Sequence, residues 1–109
     1  MTLPTNGYSI RIFCGLAVNE KTDDATLDAS FDEVSDLCDL YFYEGCTINP
    51  ADGLWDDFRE PTVVVEVFCA EESLPEILLK ADAFASDYKQ NRLQEAVLVT
   101  TQPIHFKQV

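Results

Sequence analysis

Residues 62–70 read Thr-Val-Val-Val-Glu-Val-Phe-Cys-Ala, and this run restricts the fold more than any other in the chain. β-Branched side chains dominate it, and Pro61 and the Glu71-Glu72 pair bracket it, which is the pattern of a strand. Alternation puts Val63, Val65, Val67 and Cys69 on one face, wholly apolar and therefore the floor of a core. Thr62, Val64, Glu66 and Phe68 take the other, wetter face. A strand of this kind sits mid-sheet with the other elements packed on it.

The rest of the chain can be arranged around it. Residues 1–7 read as a polar lead, and Tyr8 to Val18 as a first strand. Tyr8, Ile10, Ile12, Cys14, Leu16 and Val18 alternate onto its apolar face, and Ser9, Arg11, Phe13, Gly15 and Ala17 onto the other. Gly15 is expected at a bulge or a close backbone approach. A helix is predicted from Ala25 to Tyr43, with Phe31, Val34, Leu37, Cys38 and Tyr41 as its buried stripe and Gly45 near its C-terminal cap. Cys46 to Asn49 reads as a short strand. Residues 50–60, with Pro50, Asp52 and Gly53, read as a long hairpin connection. Ser73 and Glu76 have the spacing of a capping box for a second helix, which runs to about Asn91 with Ile77, Ala81, Phe84 and Tyr88 inward. Glu95 to Thr101 is the last long strand, interrupted at Pro103. The order β-α-β-β-α-β predicts one α+β domain over 1–109 with the ferredoxin-like fold: a four-stranded antiparallel sheet, helices on one face, first and third strands central.

Charge narrows the function classes. The chain has 20 acidic and 7 basic residues, a net charge of −13, and residues 1–60 hold 13 of the acids. Phosphate-backbone binding needs a basic footprint that is missing, so direct nucleic-acid binding is excluded, and anionic membrane surfaces are disfavoured for the same reason. The first residues show neither a basic start nor an apolar run, and no stretch approaches membrane-spanning length, so the expected compartment is the cytoplasm. The cysteines are then thiols. Cys14, Cys38, Cys46 and Cys69 form no C-x-x-C, and small core hydrophobes are the expectation.

No catalytic motif appears: no Walker loop, no G-x-G-x-x-G, no EF-hand loop, and a single histidine, His105, expected at a sheet edge. Asp52, Asp56 and Asp57 offer hard oxygen donors, but their spacing matches no cation loop, so a solvated acidic turn is expected and no metal or cofactor. On the first helix Asp28, Asp32 and Asp36 follow at i, i+4, with Asp39 beyond. Each like-charge pair costs an isolated helix about 0.2–0.5 kcal/mol, so this acid is not there for helix stability.

The uncovered sheet face is the second candidate surface. It should carry Arg11, Phe13, Ala17, Val64, Glu66 and Phe68, with Phe13 and Phe68 as neighbours and Arg11 paired to Glu66. Either Ala96, Leu98 and Thr100 or Val97 and Val99 join them, depending on register. Such an apolar patch suggests a homodimer through the sheet face, unless Trp55 covers it.

Phe13-Cys-Gly15, Gly45-Cys-Thr47, Gly53-Leu-Trp55, Glu60 and Gln94-Glu-Ala-Val-Leu-Val99 occur in an order that resembles a family of uncharacterised small bacterial α+β proteins, many of them lipoproteins. The resemblance implies the ferredoxin-like fold and no activity. This chain differs from that family in lacking an export signal and in its acidity.

Three readings follow. The first is a small acidic interaction module and not an enzyme. It would bind a basic protein partner through Asp28, Asp32, Asp36, Asp39, Asp52, Asp56 and Asp57, in the manner of nucleic-acid-mimicking inhibitors that phages use against host defence such as CRISPR systems. The second is a dimeric small-molecule enzyme or binder with its pocket on the sheet face around Phe13, Glu66 and Phe68. The third is a structural domain whose acidity serves solubility. On the first reading, replacing Asp28, Asp32 and Asp36 by Asn abolishes capture of a basic partner at low salt and leaves circular dichroism unchanged. Undiminished capture by that variant contradicts it.

Overall fold

The computed structural model describes residues 5–109. The elements are β1 (Thr5–Gly15), α1 (Asp24–Tyr41), β2 (Thr47–Trp55), β3 (Phe58–Ala70), α2 (Leu74–Asn91) and β4 (Leu98–Phe106), with a single 3-10 turn at Glu71–Ser73. All strand pairs are antiparallel in the order β2-β3-β1-β4, so β3 and β1 are central. Both helices pack on one face, which is the ferredoxin-like α+β arrangement.

The core forms where strand alternation meets helical periodicity. Ile10, Ile12 and Cys14 of β1 and Val63, Val65, Val67 and Cys69 of β3 point to the helices. They meet Val34, Leu37 and Cys38 of α1 and Ala81, Phe84 and Tyr88 of α2. Phe42 stacks on Phe84 with centroids 5.9 Å apart, and the Tyr88 hydroxyl donates to the Gly15 carbonyl at 2.5 Å, tying α2 to the end of β1. Burial of Cys14 pushes its thiol up to about 12, so it packs as an inert hydrophobe.

Several expectations change. The polar lead is shorter, because Thr5, Asn6 and Gly7 already pair with β4; residues 1–4 lie outside the described residues. β1 ends at Gly15, where the Glu60 carboxylate occupies the space a Cβ would need. The close approach expected there is thus to a side chain. α1 ends at Tyr41, with Phe42 as its cap. Its buried stripe is rotated, since Phe31 is 43% exposed and Ser30 is fully buried instead. Ser30 can be buried because its hydroxyl donates to the Leu16 carbonyl at 2.7 Å and accepts from Arg92 Nε at 3.0 Å.

The predicted long connection at 50–60 is strand. β2 runs through Pro50, tolerated because β2 is an edge, to a two-residue turn at Asp56-Asp57. Both turn residues have positive φ, 46° and 65°, the requirement of a tight hairpin turn matched to strand twist. Past the Gly15–Thr62 pair the β2–β3 hairpin continues as a two-stranded ribbon. β4 likewise continues through Pro103 as the other edge. The Ser73–Glu76 capping box does not form, because Ser73 lies in the 3-10 turn with helical backbone angles and makes no side-chain cap bond.

Phe84 and Phe31 separate the two kinds of aromatic on these helices. Phe84→Ala, removing a fully buried ring, is expected to cost about 3–5 kcal/mol in denaturant unfolding, and Phe31→Ala below about 1 kcal/mol. Equal losses would contradict the rotated stripe.

Candidate functional site

The β1–β3 register sets the open face. Arg11 stands opposite Glu66, Phe13 opposite Val64, and Ser9 opposite Phe68. β4 adds Leu98 beside Phe13 and Thr100 beside Arg11, which resolves the register question, while Val97 and Val99 pack on the core. Phe13 and Phe68 are not neighbours as expected. They stand two cross-strand rows apart, about 13 Å along the sheet, with the Arg11–Glu66 pair between them. Phe13 is half-buried and Phe68 is 53% exposed. Ala17 is not on this face; it is buried beyond β1, where its amide donates to Glu60.

Glu66 is the best-held polar side chain of the face. Its Oε2 accepts from the Ser9 hydroxyl at 2.7 Å and from Arg11 Nε at 2.6 Å. The hydrogen bond from Ser9, then that from Arg11, holds its carboxyl below the usual carboxylate range. The Glu66 side chain is only 13% exposed, yet both bonds fall on Oε2, and Oε1 has no donor among the described residues. The side chain is thus an oriented anion with one acceptor to spare.

Glu66 also lines a cleft. β2 begins at Thr47, opposite Glu66, so β3 has no β2 neighbour beyond that pair. The notch left at this sheet edge is walled by the end of α1 and the turn after it, Tyr41 to Thr47, by Glu66, Val67 and Phe68 of β3, and by Ile77 and Lys80 of α2. It encloses about 400 Å³, within the range of small-molecule sites. The turn is shaped by Gly45, whose φ of 153° suits glycine, and whose amide donates to the Phe42 carbonyl at 3.0 Å. Four aromatic side chains, Tyr41, Phe42, Tyr43 and Phe68, line the cleft beside two carboxylates, Glu44 and Glu66, and one ammonium, Lys80. Tyr41 is fixed by donating its hydroxyl to Asp87 Oδ2 at 2.5 Å, which pushes its own pKa up.

The remaining sequence candidates lie elsewhere. Asp28, Asp32, Asp36 and Asp39 are exposed on α1 in the helix layer, and Asp52, Asp56 and Asp57 are exposed on the ribbon, with Asp52 3.7 Å from Arg59. The structure therefore places the acidic candidates in two groups on different elements. The Trp55 side chain lies outside the described residues. Cys46 is half-buried and lines the cleft, unlike the other three cysteines, which are buried. His105 is exposed on the β4 edge. Among the described residues no three potential metal ligands cluster, and no helix is long and apolar enough to cross a membrane.

Sequence reasoning found Glu66, Arg11 and Phe68 but not Ser9, Tyr43, Glu44 or Lys80 as site residues. The available signal was Tyr41-Phe42-Tyr43, three aromatics in a row immediately before Glu44-Gly45, more than one helix face can bury.

No family model matches the chain, and no curated protein matches it. Among solved structures it is similar to a phage SAM lyase in complex with S-methyl-5′-thioadenosine, with TM-score 0.68 and 20% identity over 99% of this chain and 95% of that one. It is similar to a phage SAM lyase in the apo state, with TM-score 0.62 and 20% identity over 90% and 81%. A third similar structure is CPII, a nitrogen regulatory PII-like protein from Thiomonas intermedia K12, bound to ADP, AMP and bicarbonate, with TM-score 0.55 and 14% identity over 97% and 98%. These likenesses show the fold. They also overturn the expectation that the chain is not an enzyme: that expectation rested on missing motifs, and an enzyme shares this fold across nearly the whole chain.

The Glu66 clamp has a pH consequence. A carboxyl whose folded pKa is depressed contributes stability that is present in full above its unfolded pKa and is lost as pH falls through the folded value. Ser9→Ala removes the larger cause, so the Glu66 carboxyl midpoint, followed by carbon NMR, moves up toward the ordinary range. The acid limb of stability then starts at the same pH, set by the unfolded chain, but is smaller and is complete at higher pH. An unmoved midpoint would contradict the clamp.

Proposed function

We propose that this chain is an enzyme that cleaves S-adenosylmethionine and releases S-methyl-5′-thioadenosine, with the Glu66 cleft as its active site. One observation carries the reading: Glu66, whose nearly buried carboxylate is clamped through Oε2 alone among the described residues, lines an aromatic-rich cleft of small-molecule size. The likeness to the phage SAM lyase bound to S-methyl-5′-thioadenosine supports it.

The chemistry asks for little that a motif would reveal. Releasing methylthioadenosine breaks the bond between the sulfonium sulfur and Cγ of the amino-acid tail. Without water, the tail's own carboxylate oxygen supplies the new bond to Cγ, closing a five-membered lactone, and the electron pair of the S–Cγ bond passes to sulfur. The sulfonium becomes a neutral thioether, the carboxylate becomes an ester, and the ammonium keeps its charge. No proton moves, so no general acid or base is needed. The protein contributes by folding the tail so that the carboxylate faces Cγ opposite sulfur, and by excluding water from a reaction that neutralises opposite charges. Glu66 Oε1 takes the ammonium of the tail. The rings of Tyr43 and Phe68 hold the adenosyl end by stacking and attract the sulfonium.

Covering of the open face by a second copy completes this reading. Phe68 and Leu98 are 53% and 52% exposed on it, and a neighbour there would bury them and shield Glu66. The acidic side of α1 supports a second reading, a surface for a basic partner of the nucleic-acid-mimic kind. Asp28, Asp32, Asp36 and Asp39 take part in no ion pair among the described residues.

Purified protein incubated with S-adenosylmethionine should release methylthioadenosine, quantified by liquid chromatography, and elute at a multiple of 12.2 kDa by light scattering. Glu66→Gln should lower the rate by about 10²-fold. No product from a folded, multimeric protein would contradict the reading.

A further inference from the structure

We infer that Lys80 is the specificity-determining cation of the cleft: it takes the carboxylate of an amino-acid tail, so that the cleft selects a zwitterionic adenosyl ligand. The inference rests on the S-adenosylmethionine reading and deepens it. Among the lining residues described, Lys80 is the only cation, against Glu44 and Glu66. It stands on α2 in the helix layer, whereas Glu66 stands on the open face, so the notch presents an anion from one layer and a cation from the other. An amino-acid tail carries both charges on one carbon, and this pairing matches it: ammonium to Glu66, carboxylate to Lys80.

Lys80 is free to act this way. Its side chain is 35% exposed, and its one ion pair among the described residues is to Glu76 Oε1 at 3.5 Å, well beyond the length of a charge-assisted hydrogen bond, on a partner that is 71% exposed. A pair at i, i+4 of this kind contributes little to the helix, so exchanging Lys80 should leave the fold intact. Arg11 does not compete for the role, because its Nε is committed to Glu66 on the open face. With two carboxylates against one ammonium, the cleft also disfavours phosphorylated adenosine, whose charge is negative throughout.

The test compares two ligands that differ by the tail. In initial-rate assays Lys80→Met should raise KM for S-adenosylmethionine about tenfold, the weakening expected from one lost charge-assisted hydrogen bond, with kcat changing less than KM. The inhibition constant of S-methyl-5′-thioadenosine, which has no tail, should stay within about twofold of wild type, taken as small against that tenfold change. Lys80→Arg should restore most of the KM, since it keeps the charge. Equal weakening of both ligands, or no weakening of either, overturns the role of Lys80 while leaving the activity standing. A wild-type protein that neither cleaves S-adenosylmethionine nor binds methylthioadenosine overturns both.

Discussion

Arg11 faces Glu66 across the central strand pair, and the register that puts them there organises the rest of the molecule. The same register that turns Ile10, Ile12, Val65 and Val67 into the core turns Ser9, Arg11 and Glu66 outward. A slip of one residue would bury the charges and expose the valines, which is why an apolar face so continuous pins a polar one so firmly. Glu66 inherits its orientation from this arrangement: Ser9 lies one row away and Arg11 directly opposite, and both reach Oε2.

The cleft follows from where β2 starts. α1 stops at Tyr41, the chain turns through Gly45, and pairing with β3 begins only at Thr47. β3 therefore runs past its neighbour, and its uncovered edge, the turn and the first half of α2 enclose a space for a small ligand. The site is thus made of backbone economy at a sheet edge and needs no dedicated motif. A reaction that moves no proton fits such a site, because positioning and exclusion of water are what it demands.

Much of the fold was legible because long-range burial and local pattern agree. The alternation in Tyr8–Cys14 and Thr62–Cys69 and the helical spacing of Ala81, Phe84 and Tyr88 specify sheet, topology and core together. Failures came where tertiary partners override local preference. Pro50 and Pro103 sit in strands because both strands are edges. Asp56-Asp57 makes a tight turn without the usual glycine, so the hairpin read as a loop. Ser30 replaces Phe31 inside because Leu16 and Arg92 satisfy its hydroxyl, and neither partner is near it in sequence. At the site, Glu66, Arg11 and Phe68 were readable as one face of a strand pair. Lys80 was not, because its place in the cleft depends on how α2 lies against an edge that only the folded chain defines.

The central claim is that one cleft, next to Glu66, binds the adenosyl group. The most direct test is a titration of isotope-labelled protein with S-methyl-5′-thioadenosine, followed through backbone amide resonances. The account predicts saturable shifts concentrated at residues 41–47, at Glu66, Val67 and Phe68, and at Ile77 and Lys80, with the acidic side of α1 unmoved. Shifts centred on Asp28, Asp32 and Asp36, or no shifts at millimolar ligand, a concentration at the weak end of specific binding, would contradict it.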